Sequence, residues 1–326
     1  MKNTNLFLCL LIFIFSLTLT VIIERLIIPI LSGKAKQPIY EEGPSWHLSK
    51  SGTPTMGGLA FLISSLFTIL PASLYFIFHL GNTEVGFSLL LAIVFSLGNS
   101  LIGIFDDTLK LRRKENAGLS PMQKLGLQLL LAIIFLMARR YLFGDTTVIS
   151  LASFEIDLRF FYYPFAIIIL LGIVNCANLT DGIDGLASSV ALTIGFVLFI
   201  ALSGKTEISA ISAAMAGGTL GFLFFNVNPA KIFMGDTGSL FLGALVATFA
   251  FSLGNPLIAI LLGGVYVIEG VSVILQVISF KLTRKRIFKM APLHHHLEKC
   301  GLSENQICIL AVIITLTLSC LALLTV

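Results

Sequence analysis

Long apolar runs recur along the whole chain, and short polar segments separate them. A helix needs about 20 apolar residues to cross the hydrocarbon layer of a membrane, and by this measure the sequence contains ten candidate spans. Charged residues make up only 12% of the 326 residues, whereas they are about a quarter of a soluble domain. The pattern predicts an all-α polytopic membrane protein with one integral membrane domain over residues 1–326. The predicted spans are Leu6–Leu31, Met56–Phe78, Gly86–Phe105, Met122–Ala138, Phe161–Ala177, Leu186–Leu202, Ile208–Phe225, Leu240–Leu253, Leu257–Phe280 and Gln306–Val326.

The distribution of lysine and arginine predicts the orientation of these spans. Loops on the cytoplasmic side of a membrane protein carry the excess of basic residues. The loops after the odd-numbered spans contain fourteen, namely Lys34, Lys36, Lys50, Lys110, Arg112, Arg113, Lys114, Lys231, Lys281, Arg284, Lys285, Arg286, Lys289 and Lys299. The opposite side contains five, namely Lys2, Arg139, Arg140, Arg159 and Lys205, while Arg25 and Lys124 lie at span ends. We therefore expect both termini outside and the basic loops in the cytoplasm.

Four polar segments hold most of the side chains that could do chemistry. They are Phe105–Asp107, Asn178–Gly185, Gly235–Ser239 and His294–His296. Each segment follows an odd-numbered span, so the predicted topology places all four on the cytoplasmic side. The sequence therefore predicts one acidic site that faces the cytoplasm.

Asp106 and Asp107 are adjacent aspartates at a predicted membrane face. Such a pair is costly to keep ionised unless a cation shares it. Mg²⁺ takes oxygen ligands and commonly binds through one or two carboxylates together with substrate phosphates. The pair therefore favours a magnesium site, although capping of the next segment is an alternative.

The second segment combines Asn178, Asp181 and Asp184 with two glycines. On one helical turn the two aspartates would share a face, and Gly182 and Gly185 would let a ligand approach the backbone closely. A glycine-rich turn that caps the sixth span is the alternative.

The third segment is a small-residue turn that leads into a helix. The N-terminal amides and dipole of such a helix favour phosphate, and this turn contains Asp236. Phe233 could offer a flat face to a nucleobase, or it could serve only as an interfacial anchor.

The fourth segment, His294, His295 and His296, does not suit a zinc site. Consecutive imidazoles on a helix cannot all point in one direction, so contacts to phosphate or to carboxylates are easier. The H-E-x-x-H pattern of metalloproteases is missing from the sequence. Glu269, inside the ninth span, is a functional candidate by default, and a hydrogen bond to a neighbouring helix accounts for it equally well.

The loop between the first two spans adds Lys50 and Thr55. A lysine before a Gly/Thr/Pro turn at a helix start could contact a diphosphate, although the segment is not a P-loop. Nucleic acid is not expected as a partner, because the formal net charge is only +4. The five cysteines lack zinc-finger spacing and are interpreted as small apolar residues.

Taken together, the ordered segments resemble the polyprenyl-phosphate N-acetylhexosamine-1-phosphate transferases. Within that family the resemblance is to the branch that transfers phospho-N-acetylmuramoyl-pentapeptide. Six segments carry it, in the family's order and across nearly the whole chain. They are Lys50–Gly58, Phe105–Lys110, Asn175–Ala187, Phe233–Leu240, Glu269–Val273 and Arg286–Glu298.

The resemblance implies ten membrane helices in the bacterial cell membrane, Mg²⁺ as cofactor and, by analogy, a homodimer. The implied reaction transfers phospho-MurNAc-pentapeptide from UDP-MurNAc-pentapeptide to undecaprenyl phosphate, giving lipid I and UMP. Asp236 matches the main Mg²⁺ ligand, and Asp106 and Asp107 match the other catalytic carboxylates. Positions of the nucleotide pocket are matched by Lys50, Lys110, Asn178, Asp181, Gly182, Asp184 and Phe233. Positions that line the site or the phosphates are matched by Asn175, Lys114, Lys124, His294, His295 and His296.

Two departures and several alternatives remain at this point. Ser49 replaces a lysine that is common beside Lys50, and Leu302 stands where an aromatic residue is common. A sister enzyme that moves GlcNAc-1-phosphate to the same lipid is one alternative, which Lys50–Gly58 and Pro292–His296 argue against. An ion-coupled secondary transporter is another, and it predicts carboxylates near the bilayer midplane and an inverted repeat. For the transfer itself, direct attack by the lipid phosphate and a covalent intermediate on Asp107 both stay open.

Overall fold

The computed structural model describes residues 2–33, 35, 50, 52–113, 118–151, 154–203 and 206–325. The predicted site residue Lys114 lies outside these residues, as do Lys34, Lys36, Lys205 and Ser49. Twelve α-helices and one β-hairpin make up the described part of the chain. The helices are α1 (Lys2–Ser32), α2 (Gly58–Phe78), α3 (Thr83–Arg113), α4 (Pro121–Phe143), α5 (Tyr162–Thr180), α6 (Leu186–Ala201), α7 (Thr206–Asn226), α8 (Gly235–Ser252), α9 (Ile258–Leu262), α10 (Gly264–Thr283), α11 (Leu293–Lys299) and α12 (Glu304–Leu323).

The hairpin lies between α4 and α5. Its strands, β1 (Val148–Leu151) and β2 (Phe154–Asp157), are antiparallel, and Val148 is paired with Asp157. A single 3₁₀ turn, Arg159–Phe161, leads from β2 into α5. The hairpin therefore lies at the end of the bundle where α4 finishes and α5 begins.

Each predicted span corresponds to a helix, and within the described residues nine helices are long and apolar enough to cross a membrane. The exception is α6, which has 16 residues and is therefore only about 24 Å long, less than the roughly 30 Å of a hydrocarbon core. The predicted ninth span is divided, because α9 ends at Leu262, Gly263 follows it, and α10 starts at Gly264. Paired glycines are a common cause of such a break. The described chain is accordingly a multi-pass membrane protein.

The helices differ strongly in how much of their surface the bundle covers. The apolar windows of α7 and α8 are 83% buried, whereas those of α1, α4, α10 and α12 are at most 28% buried. α8 packs against α2, α3 and α5. The outer helices present large apolar side chains such as Leu26, Ile134 and Ile313 outward, as expected for a surface that meets lipid.

Helix lengths and caps bring the polar segments together at the end of the bundle opposite the hairpin. α3 has 31 residues and continues past the predicted span end at Phe105, so that Asp106, Asp107 and Lys110 are still helical. α4 begins with a capping box, in which Ser120 accepts from the backbone of Gln123. Because α3 and α5 end where α4, α6 and α8 begin, their termini converge at this end.

Candidate active site

Two aspartates and two lysines form the centre of the polar end of the bundle. The Asp106 carboxylate lies 2.6 Å from the Lys110 ammonium and 3.0 Å from that of Lys124. Asp236, at the start of α8, forms ion pairs with the same two lysines, and its Oδ2 is 3.2 Å from Lys110. Residues that are more than 100 positions apart in the chain thus share one network of charges.

Asp107 points to the backbone of α8 instead of to the lysines. Its Oδ2 accepts hydrogen bonds from the Thr237 N–H at 2.9 Å and the Thr237 hydroxyl at 2.7 Å. Its Oδ1 accepts from the Asp236 N–H at 3.2 Å. The N-cap residue Met234 provides no side-chain cap. Asp107 instead caps α8 from a different helix, and its carboxylate interacts favourably with the positive end of the helix dipole.

Gly235 fits into the narrow space between these groups. Its φ of 72° lies in the left-handed region, which glycine adopts without steric cost. A Cβ at this position would lie 2.7 Å from Asp107 Oδ2 and 2.9 Å from the hydroxyl of Thr55. Thr55 is thereby placed beside the acidic residues, although it is far from them in sequence.

Asp106, Asp107 and Asp236, which we call the acidic cluster, could hold a metal ion. One oxygen of each lies within 4.8 Å of the others, and in the described part of the chain no other group of three acidic, histidine or cysteine side chains is so close. Asp106 and Asp236 pair with the two ammonium groups, and Asp107 adds a third carboxylate, so the ionised cluster has one unbalanced negative charge. Hard oxygen ligands with surplus negative charge suit Mg²⁺, so the donor set fits the predicted ion.

Two asparagines of α5 connect the acidic cluster to its surroundings. The Asn178 amide donates to Asp236 Oδ1 at 2.9 Å and to the Ser239 hydroxyl at 2.8 Å. The Asn175 amide donates to Gln128 on α4 at 2.8 Å. Asn178 therefore orients Asp236 directly, whereas Asn175 joins two helices beside the site.

The segment after α5 is a turn and not a continued helix. α5 ends at Thr180, and Gly185 has a φ of 80°. The expectation that Asp181 and Asp184 share a helical face is therefore wrong, because the backbone reverses between them. Asp181 is half-buried, and its removal from water together with the charges of Asp236 and Asp107 holds its pKa well above the usual range.

Asp184 belongs to a second group of charges, which we call the Lys50 cluster. The Lys50 ammonium is 2.7 Å from Asp184 Oδ1 and 2.7 Å from the Glu304 carboxylate. The other oxygen of Asp184 accepts from the Asn228 amide and the Ala230 N–H, both at 3.0 Å. Asp184 therefore connects the α7–α8 loop and Lys50 to the turn after α5.

Glu304 is the residue of this group that the sequence did not indicate. It follows Ser303, which begins α12 with a capping box to Gln306. An acidic residue in the first turn of a helix interacts favourably with the helix dipole. Because this local role accounts for Glu304, the sequence offered no sign of a distant partner.

Phe233 lies where the loop before α2 meets the segment before α8. Its N–H donates to the Pro54 carbonyl at 2.8 Å, and its carbonyl accepts from the Gly57 N–H at 2.9 Å. These bonds align the two segments side by side. The ring of Phe233 is half-buried at the polar end of the bundle.

His294 is fully buried and is held by Glu269. Glu269 Oε2 lies 3.1 Å from both the backbone N–H and Nδ1 of His294. The opposite ring nitrogen, Nε2, faces Gly182, where an added Cβ would lie only 2.3 Å from it. Gly182 is therefore needed for the approach of the histidine ring, and Glu269 links α10 to the turn through that ring.

The other two histidines have different partners. His295 Nδ1 is 2.6 Å from Glu298, and His296 Nδ1 accepts from the Lys289 N–H at 3.1 Å. The rings of His294 and His295 are in edge-to-face contact, with centroids 4.2 Å apart, whereas the ring of His296 packs against Phe288. The structure therefore brings Asp106, Asp107, Asp236, Lys110, Lys124 and Asn178 into one site, with Lys50 and Asp184 in the neighbouring cluster.

Comparison with protein families gives two matches. The sequence model of glycosyl transferase family 4 matches residues 88–254. Residues 50–62 match signature 1 of phospho-N-acetylmuramoyl-pentapeptide-transferase. The two matched segments contain the acidic cluster and the Lys50–Gly58 loop.

Individual relatives cover most of the chain. A protein from Halalkalibacterium halodurans is 46% identical over 299 residues, which are 90% of each chain. Another from Caldanaerobacter subterraneus subsp. tengcongensis is 44% identical over 295 residues, again 90% of each chain. A third, from Clostridium botulinum, is 44% identical over 289 residues, 87% of this chain and 86% of the relative. All three bear the name phospho-N-acetylmuramoyl-pentapeptide-transferase.

Proposed function

The chain belongs to the phospho-N-acetylmuramoyl-pentapeptide transferase family, and from this premise we propose that it makes lipid I. The donor is UDP-MurNAc-pentapeptide, the acceptor is undecaprenyl phosphate and the second product is UMP. Identity of 46% over 90% of the chain carries the assignment. The acidic cluster supports it, because it could hold a cation, and a diphosphate donor needs its negative charge neutralised where its bond is cleaved.

We propose that the protein lies in the plasma membrane of a bacterial cell, as a homodimer of single-domain subunits. Its active site is proposed to face the cytoplasm. The excess of basic residues on the loops after odd-numbered spans supports this orientation. Cys300, which is exposed in the loop after α11, allows a direct test. A membrane-impermeant maleimide should label it in inverted vesicles and not in intact cells, with Cys300→Ser as the control. Labelling only in intact cells would reverse the proposed orientation.

Asp236 and Asp106, with Asp107 behind them, would hold Mg²⁺. When bound, the ion neutralises phosphate charge and aligns the phosphoryl group. Lys110 and Lys124 already contact both Asp106 and Asp236. Their ammonium groups are therefore placed to bind the oxygens of a diphosphate as it enters.

The proposed transfer is a direct displacement. An oxygen of the lipid phosphate attacks the β-phosphorus of the donor, the bond to the bridging oxygen breaks, and UMP leaves with that oxygen. A phosphate monoester has a second pKa near 6, so much of the acceptor already lacks its proton near neutrality. Asp106 is the candidate for removing the remaining proton, and its contribution is expected to be modest.

The hydrogen bonds of Asp107 argue against the covalent alternative. Both of its oxygens accept from the start of α8, so attack on phosphorus would uncap that helix. A covalent route predicts UMP release, or exchange of UMP into the donor, without lipid phosphate. We expect neither reaction from purified protein, and observation of either one would restore Asp107 as nucleophile.

The assignment is tested with purified protein, undecaprenyl phosphate, Mg²⁺ and a choice of donors. UMP release from UDP-MurNAc-pentapeptide and not from UDP-GlcNAc is the expected result. Turnover of UDP-GlcNAc alone would replace the proposal with the sister reaction. Omission of Mg²⁺ with a chelator should stop turnover, and Mg²⁺ added back should restore it.

A further inference from the structure

Five basic residues lie close together where α10 ends, in a segment that we call the basic turn (281–289). The sequence between Glu269 and Glu298 contains no acidic residue, so no carboxylate in this stretch can balance their charge. Residues 281–287 are all exposed. The turn therefore presents a surplus of positive charge to its surroundings. Its basic residues are Lys281, Arg284, Lys285, Arg286 and Lys289.

The basic turn differs from the lysines of the active site in its partners. Lys50, Lys110 and Lys124 each form an ion pair with at least one carboxylate. Among the described residues, by contrast, no ion pair involves a basic residue of 281–286. Positive charge that no carboxylate neutralises attracts anions from outside the chain.

The backbone of the basic turn folds back against α10. Arg284 adopts a left-handed φ of 58°, and its N–H donates to the Phe280 carbonyl at 3.0 Å. Gln276 then fixes the returning chain, because its Oε1 accepts from the N–H groups of Ile287 and Phe288, both at 3.0 Å. The basic side chains are thus carried by a folded turn, so little backbone entropy is lost when an anion binds.

Exposed apolar side chains beside the charges favour a lipid over a soluble anion. Ile274, Ile278 and Leu282 follow one face of α10 and are 57%, 49% and 79% exposed. α10 is long and apolar enough to cross a membrane, so we expect this face to meet acyl chains. Lys281 lies in the same helical turn as Leu282, where the helix leaves the hydrocarbon. A soluble anion would gain nothing from Leu282 or from Ile287, which is 55% exposed.

We propose that the basic turn binds the headgroups of anionic phospholipids in the leaflet nearest the active site. The headgroup phosphate lies against the ammonium and guanidinium groups, and the acyl chains pack along α10. Each basic residue near an anionic membrane surface strengthens binding about fivefold. The contact also reaches α11, because the Phe288 ring packs against that of His296 and the Lys289 N–H donates to His296 Nδ1. The inference goes beyond the proposed function, since lipid binding does not require the transfer reaction.

Native mass spectrometry of the full chain in detergent measures the lipids that it binds. The wild type is titrated with phosphatidylglycerol, which is anionic, or with phosphatidylcholine of the same acyl chains, which has no net charge. Phosphatidylglycerol should bind at least about tenfold more tightly, and high ionic strength should remove most of this preference. Lys281→Gln/Lys285→Gln should weaken phosphatidylglycerol binding about twentyfold. Lys231→Gln/Arg159→Gln removes two exposed charges elsewhere and should bind as the wild type does.

Thermal unfolding gives a second measurement of the same contact. Phosphatidylglycerol should raise the melting temperature of the wild type more than that of Lys281→Gln/Lys285→Gln, because a ligand stabilises the folded state that it binds. If the double variant does not elute as a folded protein, Lys285→Gln decides, with an expected loss of affinity of about fivefold.

Four results would overturn the proposal. The first is equal affinity of the wild type for the two lipids, and the second is equal phosphatidylglycerol affinity in the wild type and the lysine variant. Displacement of phosphatidylglycerol by inorganic phosphate would show a site for soluble anions instead. Displacement by undecaprenyl phosphate, with a raised KM for that lipid in Lys281→Gln/Lys285→Gln, would make the turn part of the acceptor site.

Discussion

The acidic cluster and the Lys50 cluster occupy the same end of the bundle and use the same residue types, yet their carboxylates are arranged differently. In the acidic cluster, Asp106 and Asp236 share two lysines, while Asp107 accepts hydrogen bonds from α8. In both clusters, carboxylates also accept from backbone N–H groups: Asp106 from Leu119, Asp107 from Thr237, Asp184 from Ala230 and Glu304 from Asp184. The first cluster brings one oxygen from each of three carboxylates within 4.8 Å of one another, which is a donor set for a cation, whereas the second has two carboxylates that share one lysine. The number of carboxylates that converge, more than charge itself, therefore indicates where chemistry takes place.

A second contrast separates two neighbouring aspartates in the acidic cluster. Asp106 faces the two lysines, whereas Asp107 caps α8. Successive residues on a helix point about 100° apart, so adjacent carboxylates reach different surroundings. Substitutions should separate these roles.

The largest effect is expected from Asp236→Asn. This variant keeps the shape of the side chain but removes the charge that pairs with Lys110 and Lys124 and could hold Mg²⁺. Transfer should fall by at least about a thousandfold, as measured by UMP release. Asp184→Asn, in the other cluster, serves for comparison and should mainly raise the KM for the donor. Wild-type rates in folded Asp236→Asn protein would contradict the metal assignment.

Asp107→Ala tests the capping role. Loss of the cap should destabilise the protein by about 1–2 kcal/mol, and the displaced Asp236 should lower kcat by about 10–100-fold. Thr237→Val removes only the hydroxyl donor to Asp107 and should cost about 1 kcal/mol. Thermal unfolding in detergent measures both variants. An unchanged melting temperature in Asp107→Ala would mean that α8 does not depend on this cap.

Lysine substitutions compare the two clusters directly. Lys124→Ala should lower kcat, because its ammonium contacts both Asp106 and Asp236. Lys50→Ala should raise the KM for the donor and leave kcat close to that of the wild type. Effects of about tenfold are expected in each case. If both variants changed the same constant, the division between the clusters would not hold.

The last prediction concerns the contact between Gly182 and His294. Gly182→Ala places a Cβ against His294 Nε2 and should destabilise the protein by about 1–3 kcal/mol. The double variant Gly182→Ala/His294→Ala relieves the clash, so its loss should be less than the sum of the two single losses. Strict additivity in thermal unfolding would show that the ring does not press on this glycine.

The spans and the composition of the acidic cluster could be predicted because their signals are local. In hydrocarbon every backbone polar group must be bonded within the helix, so the apolar runs had to become helices. Boundaries were less certain, since Asp106 and Asp107 continue α3 past its apolar part and a glycine pair divides the predicted ninth span. Local signals left a helical face and a glycine-rich turn both open at Asp181 and Asp184, and the structure has the turn.

By itself, the sequence determined a multi-pass helical protein, its family, and the set of aspartates and lysines available at one polar end. Only the tertiary structure decided how they are shared out. In the structure Asp107 caps the start of α8, and Lys50 pairs with both Asp184 and Glu304. His294 contacts Glu269 and Gly182. These partners are 25 to 254 positions apart in the chain. Hydropathy and motif spacing act over one helix, whereas hydrogen bonds and ion pairs depend on distances that exist only once the helices have packed.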